Sequence, residues 1–130
     1  MNSNQMPSEL SLSMANCCAL ASEVWRLGRH ADLIGGTTET VGLRYSVRQL
    51  TRLLEEMKLA IVDLVGQPYD SGMIQEVVEV IDDPEMDAGR QLINETVLPT
   101  ITWNGIVAQP GQVSLRRSLF PSPPISEVSH

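Results

Sequence analysis

The stretch LRYSVRQLTRLLEEMKLAIVDLVGQPYD, residues 43–70, decides how this chain is read. Apolar residues stand at Leu43, Val47, Leu50, Leu54, Met57, Ile61 and Leu64, a 4-3-4-3-4-3 spacing over three heptads. That period is the a/d stripe of a coiled-coil helix, so it predicts a helix over 43–65. Leu53, Ala60 and Val65 widen the stripe beyond a two-stranded seam and point to a bundle of three or four helices. At Gly66–Asp70 the period stops and turn residues replace it.

Upstream, Leu10, Met14, Cys17, Ala21 and Val24 repeat the spacing, so a first helix is expected over 8–30, with Trp25 and Leu27 widening its stripe. Pro7 before Ser8 and Ser11 suits a helix start, and Arg26, Arg29 and His30 complement the negative end of the dipole. Residues 31–42, ADLIGGTTETVG, read as the connection. Two such helices each extend about 35 Å. One hairpin leaves too much apolar seam uncovered. A homodimer closing a four-helix bundle is the economical solution, with Leu43, Val47, Leu50, Leu54, Met57, Ile61 and Leu64 as the dimerisation seam. On the same helix Arg44, Arg48 and Arg52 form an i, i+4, i+8 stripe. Pairs such as Arg52–Glu56 make this a solvated face, and the alternative is a docking stripe for an acidic partner.

Downstream, the β-branched run from Ile74 to Ile81 predicts a strand closed by Asp82-Asp83-Pro84. Further strands are expected over Arg90–Val97 and Thr100–Trp103. Asn104-Gly105 is a two-residue hairpin turn that pairs Ile101–Trp103 with Ile106–Ala108. Pro110-Gly111 marks another turn or bulge before a last short strand, Val113–Leu115. Short strands at this density suggest a small barrel or sandwich. The fold class is therefore α+β: a two-helix dimerising region over 8–65, then a small all-β domain over 66–117. Residues 1–7 are expected to be disordered, and the Pro- and Ser-rich residues 118–130 to form a flexible tail.

In 130 residues there is room for one compact domain or two very small ones, and 42% hydrophobic with 19% charged residues is ordinary for a globular chain. The net charge of −7 resides wholly in residues 66–115, where Arg90 alone faces eight acidic side chains. That balance, with 4% aromatic residues, argues against a nucleic-acid partner. No signal peptide and no apolar run of membrane-spanning length is present, so no membrane partner is expected. Adjacent Cys17 and Cys18 read as small apolar helix residues of a protein in the reducing cytoplasm. No catalytic set, metal-ligand cluster or cofactor motif emerges, and the acidic loop Ile81–Asp87 lacks calcium-loop spacing. An enzyme is not expected.

The order of a helical half, then Gly66-Gln67-Pro68-Tyr69-Asp70, then strands ending in Asn104-Gly105 resembles the GrpE family, the dimeric nucleotide-exchange factors of DnaK-type chaperones. The family's G-x-x-F-D-P is matched by Gly66, Tyr69 and Asp70, and its H-x-A-V is approximated by Gln75–Val78. The closing N-G-R-x-L-R-P-A-x-V-x-V aligns without gaps on Asn104–Leu115, where Asn104, Gly105, Pro110 and Val113 match. The resemblance covers about residues 45–116. Two family arginines fall on Ile106 and Gln109, its Gly-Tyr on Thr100 and Ile101, and its histidine on Ile74 or Gln75. The long family helix is shortened here. The resemblance implies a GrpE-like fold and a homodimer that binds the ATPase domain of a DnaK-type chaperone and promotes ADP release without a cofactor of its own. The implied contact surface includes Tyr69, Met73, Trp103, Ile106, Gln109 and Pro110. Trp103 also fits a hairpin core position, and Pro110 also fits plain turn chemistry. The alternative is a dimeric adaptor or assembly protein of the same fold without exchange activity.

Overall fold

The computed structural model describes residues 8–120, so the expectations for 1–7 and 121–130 lie outside the described residues. Helix α1 spans Met14–Ile34. It begins later than the apolar spacing suggests because Ser13 is its N-cap, its Oγ accepting the Asn16 N–H at 3.1 Å. It also runs past His30, burying Ala31, and stops only where Gly35 takes φ +90°. The connection is therefore Gly35–Thr37 rather than 31–42. Helix α2, Thr38–Glu56, starts with the Thr37 N–H donating to Thr40 Oγ1 at 3.0 Å. Thr40 Oγ1 in turn donates to the Gly35 carbonyl at 2.8 Å, so one buried threonine ties the end of α1 to the start of α2.

The expected second helix over 43–65 is corrected: it ends at Glu56. Met57 N–H donates back to Leu54 O at 3.0 Å, Lys58 N–H to Glu55 O at 2.9 Å, and Lys58 sits in the left-handed region at φ +66°. Strand β1, Leu59–Val62, follows at once. The remaining strands are β2 (Gln75–Asp83), β3 (Gln91–Leu98), β4 (Thr100–Trp103), β5 (Ile106–Gln109) and β6 (Gly111–Ser118).

Two three-stranded sheets result, ordered β1-β4-β5 and β2-β6-β3. The first is antiparallel throughout; in the second, β6 runs parallel to β2 and antiparallel to β3. The two sheets join where Pro110 separates β5 from β6. There Thr100 Oγ1 accepts from the Gln75 amide at 2.8 Å and from the Gly111 N–H at 3.1 Å. A Cβ on Gly111 would lie 2.5 Å from Thr100 Oγ1 and 3.1 Å from the Leu98 carbonyl, so only glycine fits this junction.

Each sheet has its own small core. Cys18, Ala21 and Val24 of α1 meet Leu54 of α2, Leu59 of β1 and Ile101 of β4, with Cys17, Ile61 and Ala108 around them. Burial, followed by the neighbouring Cys17, raises the Cys18 thiol pKa. The second core is Ile93, Val113 and Leu115, flanked by Leu64, Tyr69, Met73 and Val77.

The expected dimerisation seam is thus largely consumed inside the protomer. Leu54 is 3% exposed, Leu43 and Val47 are half-buried, and Ile61 and Leu64 lie beyond the helix against the two cores. Only Leu50 and Met57 remain at the surface. A second correction concerns residues 118–120, expected to open a flexible tail. Ser118 is buried at the end of β6, its N–H donating to Arg90 O at 3.0 Å and its Oγ to Met86 O at 3.1 Å. The Gly89 N–H donates to Phe120 O at 2.9 Å.

Candidate functional site

The β4–β5 hairpin presents the most prominent apolar projection of the β half. Asn104 at φ +51° and Gly105 at φ +79° form its turn, a backbone shape that the Asn-Gly pair adopts readily. Trp103 and Ile106 face each other across the turn, Trp103 also pairing with Leu59 of β1. The Asn104 N–H donates to Lys58 O at 3.0 Å, which anchors the tip on the left-handed residue that ends α2. Ile106 is 70% exposed and Trp103 43% exposed. Nothing among the described residues covers them fully.

The other residues singled out in the sequence are placed elsewhere. Gln109 is engaged internally: its amide donates to Ser22 Oγ and to the Pro99 carbonyl, both at 3.0 Å, so it ties α1 to the first sheet. Tyr69 and Met73 are half-buried against the second core. Pro110 is exposed at the sheet junction. The six are thus divided: Trp103 and Ile106 belong together, Gln109 ties α1 to the first sheet, Pro110 stands at the junction, and Tyr69 and Met73 serve the second core.

A polar joint between α1 and the sheets was not legible in the sequence. Asp63, just after β1, accepts from Trp25 Nε1 at 3.0 Å, from Thr96 Oγ1 at 2.7 Å and from the Val65 N–H at 3.2 Å. Partial burial opposes its charged form. The Thr96, Trp25 and Val65 hydrogen bonds and the Arg29 charge outweigh that and hold its pKa below the ordinary aspartate value. Arg29 stacks over the Trp25 ring at 4.9 Å and reaches β3, donating to Thr96 O at 3.1 Å and Glu95 Oε1 at 3.2 Å. Arg29 is therefore no partner for the helix dipole, as expected from a helix ending at residue 30, but a strut to the sheet.

The acidic strand end also acquires partners. Arg117 Nε donates to Asp82 Oδ1 at 2.8 Å, and Arg116 lies 3.7 Å from Asp83. Among the described residues, no cluster of three metal-ligating side chains forms and no helix is long and apolar enough to cross a membrane.

The helical hairpin keeps one apolar flank. Leu20, Leu27 and Ile34 recur every seven residues along α1, and Leu50 and Leu53 of α2 with Met57 at its C-cap follow an i, i+3, i+7 course; all six are exposed. At 100° per residue, both stripes fall on the flank of the hairpin opposite the one lined by Asp32, Val41, Arg44 and Arg48.

No protein-family model matches this chain, and no curated protein does so.

Proposed function

We propose that this chain is a GrpE-like nucleotide-exchange factor, a homodimer whose β half grips the ATPase domain of a DnaK-type chaperone and promotes ADP release. The observation that carries the reading is the exposed Trp103–Ile106 pair on a two-residue hairpin, at the stretch whose Asn104–Leu115 sequence resembles the family. An exposed aromatic beside an exposed aliphatic residue is the composition of an interface anchor. Catalysis here is differential binding with no bond chemistry. The factor prefers the open nucleotide cleft to the closed one, and linkage then requires nucleotide to weaken the complex by the same factor. A preference of about 2–4 kcal/mol speeds nucleotide loss about 30- to 1000-fold where opening limits release.

The dimer would form through the apolar flank of Leu20, Leu27, Ile34, Leu50, Leu53 and Met57, closing a four-helix bundle about a two-fold axis. This replaces most of the seam expected from the heptads.

The test is stopped-flow release of a fluorescent ADP from the DnaK-type chaperone of the same host. The chain should accelerate release, and Ile106→Glu should abolish the acceleration while leaving the far-UV circular dichroism unchanged. A chaperone that binds the chain equally with and without ATP, with no faster ADP release, would overturn the exchange reading. The adaptor reading would then stand, and Ile106 favours it to this extent: an aliphatic side chain cannot supply the carboxylate-gripping fork of the arginine that the family has there.

A further inference from the structure

Among the described residues, five arginines have a carboxylate partner: Arg26, Arg29, Arg90, Arg116 and Arg117. The three on α2 form no ion pair. Arg52 does not reach Glu56 in the expected i, i+4 pair, and Asp32 across the hairpin does not close on Arg44 or Arg48. Arg44 is further set apart. Its Nε is buried and has no hydrogen-bond partner, the state that buried donors are normally built to avoid. Arg44 and Arg48 line a cleft of about 420 Å³ between α1 and α2, together with Gly28, Ala31, Asp32, Val41 and Val47.

We propose that this cleft is a binding site for a carboxylate-rich peptide segment of a partner protein. Arg44 and Arg48 receive its acidic side chains, and the residue between them turns away from the arginines. Successive arginines of the stripe are about 6 Å apart along the helix axis. Alternate residues of an extended peptide are about 6.6 Å apart, so a Glu-x-Glu-x-Glu segment keeps step with Arg44, Arg48 and Arg52. Guanidinium groups suit carboxylates through paired N–H donors, and Arg44 and Arg48, which line the cleft, spend none of theirs on a carboxylate among the described residues. A nucleic-acid strand suits the cleft less well. Asp32 lines it, and the chain carries −7 overall, whereas phosphate backbones demand a clean basic surplus.

The site lies on the flank opposite the apolar stripes and away from the Trp103–Ile106 tip, so it does not rest on the exchange reading. The probe is a fluorescein-labelled octapeptide of alternating Glu and Leu, followed by anisotropy against the full chain. Its comparators are the same peptide with Gln for Glu and a labelled single-stranded oligonucleotide. The Glu peptide should bind, more weakly as salt rises, while the Gln peptide and the oligonucleotide should not. Arg48→Glu and Arg44→Gln should each weaken binding about tenfold or more, the cost of one charge-assisted pair. Arg48 is exposed, so Arg48→Glu keeps the test decisive should Arg44→Gln fail to fold. Absence of binding by the Glu peptide, equal binding by the Gln peptide, equal affinity in Arg48→Glu, or tighter binding of the oligonucleotide would each overturn the proposal.

Discussion

Asp63 is one side chain that ties the first helix to the sheets. It accepts donors from α1 (Trp25), from β3 (Thr96) and from its own turn (Val65), so it is the point at which three parts of the chain meet. Its folded pKa lies below its unfolded value, so at intermediate pH the native state binds fewer protons than the unfolded one. Its stabilising contribution is therefore complete above the unfolded value and is lost as pH falls through the folded one, from about pH 4 downward. Asp63→Asn should show a smaller loss of stability between neutral pH and pH 3 than the parent does. Urea midpoints followed by Trp25 fluorescence, in a Trp103→Phe background, measure this. Equal acid slopes in both proteins would show that the carboxylate is not the group responsible.

At the scale of elements, the decisive stretch was half legible. The 4-3 spacing correctly marked α2 through Leu54, because Leu43, Val47 and Leu54 face inward, although Leu50 stays at the surface. It then continued by coincidence into β1, where Leu59 and Ile61 alternate as a strand does while Met57, Ile61 and Leu64 keep the helical count. A short apolar run satisfies both periods, and what separates them is the left-handed Lys58, a residue type that gives no such signal. The hairpin was plain from Asn104-Gly105, and β2 to β4 from their β-branched runs, since turn chemistry and pleat are local. The site was less legible. Gln109 and Asp63 act through partners as distant in sequence as Ser22 and Trp25, and no spacing rule reveals such contacts. The corrected helix makes its own prediction. Leu54→Ala opens the first core and should cost about 2–5 kcal/mol in urea unfolding. Leu53→Ala, at a neighbouring and exposed position, should cost little intrinsically, its effect emerging only as a dependence on protein concentration. Equal, concentration-independent losses would mean that Leu53 is a core residue.

At the scale of the whole molecule, charge and apolar surface are segregated in a way that a lone protomer does not explain. The acidic surplus sits on the β half, while the helical hairpin carries the unpaired arginines on one flank, beside the exposed Val41, and six exposed large apolar side chains on the other. Two-fold pairing of the apolar flanks would leave both arginine clefts uncovered, since those lie on the opposite flank of the hairpin. The proposed bundle can therefore be broken without touching the arginine cleft. Leu27→Glu with Leu53→Glu sets acidic side chains into the apolar seam, where burial of an unpaired charge is costly. In sedimentation velocity the parent should run at twice 14.3 kDa and the double variant at 14.3 kDa, with helix content retained. The variant should still bind the Glu-Leu peptide through Arg44 and Arg48, since that cleft is complete within one protomer. A parent that sediments at 14.3 kDa, or a double variant that remains paired, would remove this flank as the dimer interface.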